Sequence, residues 1–240
     1  MPPLPTLDQA ALLLDLDGTL LDIAPTPDSV VVPTTLLETL TKLRARLSGA
    51  LAVISGRSIE QVDTLLHAIP TAASGEHGGA LRRSPHSPIE RPALPSAPTH
   101  WLTTAEHLHA AHPGTLLERK ARGFVLHYRL APDAGGPIYA TLAPMVAAGT
   151  AEFVLMAAHM AWEVRPIGAD KGSAVRQIMT HPPFAGRRPI FIGDDVTDRD
   201  AIAAAEAMGG AGLFLPDIFG CPGSLRAWLA HAARDGAWPA

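Results

Sequence analysis

The chain has 240 residues, enough for one large domain or two modest ones, and carries a formal net charge of −4 with no Lys/Arg-rich run. That pattern speaks against nucleic acid or an anionic membrane as partner, no apolar run approaches the roughly 18 residues of a membrane span, and the single cysteine, Cys221, excludes an internal disulfide. The first basic residue is Lys42, so the N-terminal stretch lacks the positive region of a secretory signal and a cytoplasmic location is expected.

Residues 11–14, Ala-Leu-Leu-Leu, are uniformly apolar and too few for an amphipathic helix, which predicts a strand buried on both faces. Asp15 and Asp17 follow at once, and Gly18-Thr19 turns the chain away. In an open parallel sheet, ligands bind beyond the carboxyl ends of the strands, where these acids would sit. Two like charges held that close need a cation or a shared proton, and a hard Mg²⁺ ion would satisfy their oxygens. Residues 33–47 read as a helix with Leu36, Leu40, Leu43 and Leu47 on one stripe, opened by Thr35 and Glu38 at capping-box spacing. Residues 50–54 are a second short apolar strand ending in Ser55-Gly56-Arg57. Ser58 and Gln61 then form another capping box, opening a helix through residue 66.

The alternation breaks at the Pro-rich run 82–98, which reads as a loop or crossing point. A helix is predicted over 99–111, then two strands within 116–128 around Arg122-Gly123, a helix over 138–148, and a strand pair within 153–164. Glu118 and Lys120 alternate with apolar neighbours, as do His127 and Arg129, while His159, Ala161 and Glu163 share one face. This stretch is therefore α+β, with an antiparallel sheet that has one apolar and one polar face. The first pattern then returns: a helix over 171–179 and a strand over 189–192 ending in Gly193-Asp194-Asp195-Val196-Thr197-Asp198. A helix over 198–208, a strand over 213–215 and a helix over 224–232 follow. The expected architecture is α/β: a Rossmann-like core with a parallel sheet from residues 1–81 and 165–240, interrupted by an inserted domain, 82–164.

Asp15, Asp17, Ser55, Lys171, Asp194, Asp195 and Asp198 would all face one crevice at the strand ends. A carboxylate nucleophile, a hydroxyl, a lysine and an acid cluster are the parts needed for phosphoryl transfer through an aspartyl-phosphate. Each residue alone has a plainer reading: Ser55 as a turn residue, Lys171 as a solvated lysine at a helix start, Asp198 as a helix N-terminal charge.

Asp15-Leu16-Asp17-Gly18-Thr19, Ser55-Gly56-Arg57, Asp170-Lys171-Gly172 and Gly193-Asp194-Asp195-Val196-Thr197-Asp198 resemble, in order, the motifs of the haloacid dehalogenase-like phosphatases. The resemblance implies that the insert is an α/β type-two cap. It implies Asp15 as nucleophile, Asp17 as general acid and then base, and Ser55 and Lys171 as phosphate-side donors. Mg²⁺ would be held by Asp15, the Asp17 carbonyl and Asp194, with Asp195 and Asp198 orienting that shell.

The insert carries a narrower resemblance. Glu118-Arg119-Lys120 with Leu126-His127-Tyr128-Arg129, Trp162-Glu163-Val164-Arg165-Pro166 and Gly75-Glu76-His77-Gly78 are similar to segments of the trehalose-6-phosphate phosphatases. This implies a disaccharide phosphate substrate, with Gly56, Arg57, Glu76, His77, Glu118, Lys120, His127, Arg129 and Glu163 on the substrate side, and cap closure accompanying turnover. Arg57 is expected to prop up its loop rather than touch phosphate. A trehalose-6-phosphate synthase supplying the substrate is the implied partner. The chain departs from that pattern at Ala80, His159 and Arg199. Alternatives are a capped phosphatase for another disaccharide or monosaccharide phosphate, and a non-catalytic sugar-phosphate sensor. The sensor fits less well, because it need not keep both a nucleophile and its acid.

Overall fold

Five buried residues, Ala10–Leu14 (β1), form the axis of a six-stranded sheet. The computed structural model describes residues 2–91, 93–120, 122–149, 151–168 and 170–239; Pro92 of the Pro-rich run and Ala121 of the first predicted strand pair lie outside them. After β1 come Thr34–Arg46 (α1), Leu51–Ile54 (β2), Ile59–Leu66 (α2), Ala72–Gly75 (β3) and Ala80–Arg82 (β4). A second series is Thr99–Ala111 (α3), Leu116–Arg119 (β5), Phe124–His127 (β6), Gly135–Ala147 (α4), Phe153–Ala158 (β7) and Ala161–Pro166 (β8). The chain ends through Lys171–Ile178 (α5), Arg188–Gly193 (β9), Arg199–Ala207 (α6), Ala211–Phe214 (β10), Leu215–Ile218 (α7) and Pro222–Asp235 (α8).

The chain divides into two compact units, Met1–Arg91 with Asp170–Ala240, and Pro92–Ala169. In the first, the strand order is β10-β9-β1-β2-β3-β4, parallel except for β4. From β1 the chain builds outward through β2 and β3 on one side, and later through β9 and β10 on the other. The strand order reverses direction at β1, which makes its carboxyl end the topological switch point. The uniform apolar character of β1, β2 and β9 follows from cover on both faces: apart from Arg188, every residue of the three strands is buried. The division falls beyond residue 81 because β4 pairs with β3 and Leu81 bridges Glu90. It falls beyond 164 because β8 continues to Pro166, opposite Phe153.

The four Leu of the α1 stripe are buried, but Thr35 and Glu38 do not cap that helix. Pro33 takes the extended N-cap position, so Thr35 already lies inside the first turn. The Ser58–Gln61 box does form, with Gln61 N–H donating to Ser58 Oγ at 3.3 Å and Ser58 N–H to Gln61 Oε1 at 3.1 Å. The helix predicted from 198 begins at Arg199 after a 3₁₀ turn, Val196–Asp198.

The second unit is an antiparallel sheet, β5-β6-β8-β7. Its apolar face, with Phe124, Leu126, Val164 and Phe153, packs with Trp101 of α3 and Ile138, Leu142 and Val146 of α4. Trp101 meets Phe153 edge to face at 5.3 Å. His159 does not extend the polar face as expected; it lies exposed in the turn between β7 and β8.

Candidate active site

Because β1, β2 and β9 run parallel, their carboxyl ends share one edge, and Asp15, Ser55 and Asp194 follow them directly. Lys171, the first residue of α5, reaches the same edge and is buried. Its Nζ donates to Asp15 Oδ1 at 2.6 Å and to Asp198 Oδ1 at 2.6 Å. A cation at a helix N-terminus opposes the macrodipole, and these two carboxylates hold it there. Asp198 is fully buried, and its other oxygen accepts the N–H groups of Asp194 (3.0 Å) and Asp195 (2.9 Å). Both Asp198 oxygens are thus engaged in fixing the lysine and the late acidic loop. The Asp195 carboxylate turns back to its own 3₁₀ turn, accepting from Val196 N–H at 2.6 Å.

Thr19 is a residue that sequence reasoning left inside a motif without a role. It is fully buried, with Oγ1 2.7 Å from Asp194 Oδ1 and 3.1 Å from Asp15 Oδ2, so its hydroxyl ties the β1 end to the β9 end. Its place two residues after Asp17 was the available signal. Gly18 before it has φ +83°, and a Cβ there would lie 2.2 Å from Asp194 Oδ2, so only glycine lets the chain turn this tightly beside that carboxylate.

One oxygen from each of Asp15, Asp194 and Asp198 lies within 4.8 Å of the other two. Burial, then repulsion from Asp198, pushes the Asp15 carboxyl well above the usual carboxylate range, with Lys171 opposing. Burial and Asp198 likewise raise Asp194 against the Thr19 hydrogen bond. Burial works against the charged form of Lys171, but Asp15 and Asp198 outweigh it and raise its pKa above the ordinary lysine value. Three carboxylates against one lysine leave an excess of negative charge on an all-oxygen donor set, which fits a hard divalent cation.

Asp17 is not part of this cluster. Arg57 grips it in a fork, Nε to Oδ2 at 2.6 Å and Nη2 to Oδ1 at 2.8 Å, joining the β1 and β2 loops. Ser55 is buried, and its Oγ accepts the Arg57 N–H at 3.1 Å. The imidazole of His77 lies over Gly56, where a Cβ would come within 2.4 Å of Nε2. Glu76 Oε1 accepts from Arg91 Nη2 at 3.0 Å.

The polar face of the second unit is built by register. Glu118, Val125, Glu163 and Met156 stand in one row across β5, β6, β8 and β7. Glu118 accepts from His127 Nε2 at 2.9 Å and pairs with Lys120 Nζ at 2.6 Å. Glu163 is buried, and Arg165 beside it donates to the thioether of Met156, Nη2 to Sδ at 2.9 Å. Lys120 and Arg129 stand just past the ends of β5 and β6.

Burial would raise the Glu118 carboxyl, but the His127 hydrogen bond and Lys120 prevail and bring it to about 2. A carboxyl depressed on folding stabilises the native state above its unfolded pKa, and that contribution is lost as pH falls through the folded value. Glu118 is expected to contribute on the order of 3 kcal/mol at pH 6, lost between about pH 4.5 and 2. Melting curves of the wild type and Glu118→Gln at pH 6 and pH 2.5 check this; an unchanged gap between them would refute it.

The sheet order and an acidic loop after each of β1 and β9 match the fold that the haloacid dehalogenase-like resemblance implies. A family model described as trehalose-phosphatase matches residues 13–213. The chain is 38% identical over 204 residues to a probable trehalose-phosphate phosphatase of Sinorhizobium fredii, covering 85% of this chain and 77% of that protein. It is 38% identical over 201 residues to a trehalose-6-phosphate phosphatase of Escherichia coli, covering 83% and 75%. The solved C-terminal domain of the C. albicans trehalose-6-phosphate phosphatase superposes with a TM-score of 0.77 at 20% identity, covering 95% of this chain and 92% of that one. The chain belongs to the trehalose-phosphatase family, whose members are phosphoric monoester hydrolases. Among the described residues, no helix is long and apolar enough to cross a membrane.

Proposed function

We propose that the protein hydrolyses trehalose 6-phosphate to trehalose and phosphate, with Asp15 as a covalent nucleophile. The observation that carries the mechanism is the buried Lys171 Nζ at 2.6 Å from Asp15 Oδ1, a fixed cation beside a nucleophile-sized carboxylate at the sheet switch point. Asp15 attacks phosphorus as the phosphorus–sugar oxygen bond breaks, and Asp17 gives the leaving oxygen its proton. Asp17, now a carboxylate, takes a proton from water, which attacks the acyl phosphate and releases inorganic phosphate and free Asp15. Asp17 can act only after Arg57 loosens its fork, since Nε and Nη2 of that guanidinium occupy both carboxyl oxygens.

Asp15, the Asp17 carbonyl and Asp194 would hold Mg²⁺, with Asp198 and Asp195 orienting the loop that carries Asp194. A bound Mg²⁺ would neutralise charge on the phosphoryl oxygens. Ser55 and the backbone at Gly56 would donate to the phosphate, while Lys171 supplies its permanent charge. In the second unit, proposed as the family's cap, Glu118, Lys120, His127, Arg129 and Glu163 offer both acceptors and donors to sugar hydroxyls. The substrate source would be a trehalose-6-phosphate synthase.

The test is phosphate release from trehalose 6-phosphate, sucrose 6-phosphate and glucose 6-phosphate, with Mg²⁺ and with a chelator. The expected result is a preference for trehalose 6-phosphate of roughly 100-fold or more, since unmatched buried polar groups penalise the wrong sugar. Chelation is expected to abolish release and to lower the melting temperature by several degrees, because a ligand at about 100 times its Kd adds about 2.7 kcal/mol. Preference for glucose 6-phosphate would defeat the disaccharide assignment, and chelator-resistant release would defeat the metal assignment.

A further inference from the structure

The five residues after Ser74, Gly75-Glu76-His77-Gly78-Gly79, hold three successive left-handed backbones, with φ 56° at Glu76, 54° at His77 and 100° at Gly78. Glutamate and histidine avoid this region unless their surroundings over-determine it. Those surroundings are specific. Glu76 N–H donates to the carbonyl of Arg57 at 2.9 Å and His77 N–H to that of Ser55 at 3.1 Å, so both ends of Ser55-Gly56-Arg57 are fastened to this turn. On its other side, a Cβ at Gly78 would come within 2.3 Å of the carbonyl oxygen of Asp170, the residue that caps α5 and precedes Lys171. No side chain fits there, and the turn backbone rests directly on the start of the lysine helix.

The same turn meets both ends of the interruption in the first unit. That unit breaks off at Arg91 and resumes at Asp170. Asp170 lies under Gly78, and Arg91 Nη2 donates to Glu76 at 3.0 Å, where the Glu76 carboxylate is only 8% exposed.

We propose that the Gly75–Gly79 turn is a bracket setting the placement of Ser55 relative to Lys171, and that the Glu76–Arg91 ion pair holds it in shape. Glu76 and Arg91 are then positioning residues, and Glu76 acts through backbone geometry rather than by touching the sugar. The inference rests on the phosphatase reading, since it assigns value to the placement of Ser55 and Lys171. Lys171 spans two carboxylates at 2.6 Å each, so a small slide of the α5 start lengthens both contacts and misplaces the charge during phosphoryl transfer. Arg91 is one-third exposed but Glu76 is nearly buried, so melting curves taken beside the kinetics separate a loss of stability from a loss of rate.

The experiment is steady-state kinetics at saturating Mg²⁺ on trehalose 6-phosphate and on p-nitrophenyl phosphate, an ester with no sugar. Arg91→Ala and Glu76→Gln are each expected to lower kcat about 10-fold on both esters with KM changed less than about 2-fold, as a small misplacement at a reacting centre does. The double variant should be no slower than the slower single, and Arg91→Lys should restore most of the rate. Wild-type kcat in Arg91→Ala would overturn the proposal. So would a Glu76→Gln effect confined to KM for the sugar ester, which would make Glu76 a substrate contact, or a double variant in which the two losses multiply. Should Glu76→Gln fold poorly, the Arg91 variants, at a side chain one-third exposed, decide the matter alone. An active wild type with an unaffected Arg91→Ala removes the bracket and leaves the phosphatase reading standing; a wild type silent toward every ester removes both.

Discussion

Asp15→Asn should reduce phosphate release by on the order of 10⁴-fold or more while leaving the protein as stable as the wild type, or more so, when no divalent cation is present. The loss follows from chemistry: an amide oxygen is a poor nucleophile and cannot form the acyl phosphate. The retained stability follows from crowding. Asp15 is buried beside Asp198 and Asp194, and burial with that repulsion raises its carboxyl well above the normal range. Asparagine fills the same volume without the charge, and Lys171 keeps Asp198 as partner at 2.6 Å. The variant should also lose most of the melting-temperature gain that Mg²⁺ confers, because one of the proposed ligands is gone. Phosphate assays with melting curves, each with and without Mg²⁺, read all three effects. Turnover of Asp15→Asn near the wild-type rate would end the covalent mechanism; a large fall in cation-free stability would show that the Asp15 charge supports the fold. Activity here would be maintained at some expense in stability, as strained functional sites commonly are.

What could be read from the chain alone was whatever local sequence encodes. The acids, the serine and the lysine stand at strand or helix ends, and the short apolar runs 11–14, 50–54 and 189–192 make those strand ends legible in the sequence. The Ser58–Gln61 cap was legible for the same reason, being a pattern four residues long. β3 was not, because Ala-Ala-Ser-Gly carries neither alternation nor bulk, and it is a strand through its pairing with β2. Thr35 and Glu38 had the right spacing for a cap and lost to Pro33, whose fixed φ suits the helix entrance. The Arg57–Asp17 fork joins residues 40 apart and the Thr19–Asp194 contact residues 175 apart, so neither has a local signature. The left-handed Glu76 and His77 also run against residue preference, since glycine or asparagine would be expected there. Local consistency gave way where the chain is shaped around a centre rather than a core.

Lys171→Met should differ from Asp15→Asn in the sign of its effect on stability while matching it in loss of activity. Methionine keeps the length and apolar stem but removes the cation that Asp15 and Asp198 share, leaving both buried carboxylates without it. Removing one partner of a buried ion pair costs roughly 3–5 kcal/mol, which corresponds to a melting-temperature fall of roughly 6–20 °C for a unit of this size. The pH dependence identifies the cause. In the wild type the folded pKa of Lys171 is raised, so its contribution is complete below the unfolded lysine pKa and is lost only as pH rises through the higher folded value. Across neutral pH it is therefore constant. In Lys171→Met the Asp15 carboxyl, already raised by burial and by Asp198, loses the cation that opposes that rise, so its folded pKa climbs further and the penalty grows with pH above the ordinary carboxylate range. The gap between the two melting curves should accordingly widen from pH 5 to pH 8. Adding Mg²⁺ at pH 8 should recover part of it by returning positive charge to the cluster. A gap independent of both pH and Mg²⁺ would mean that Lys171 matters there as packing and not as charge, and the electrostatic account of the centre would fail with it.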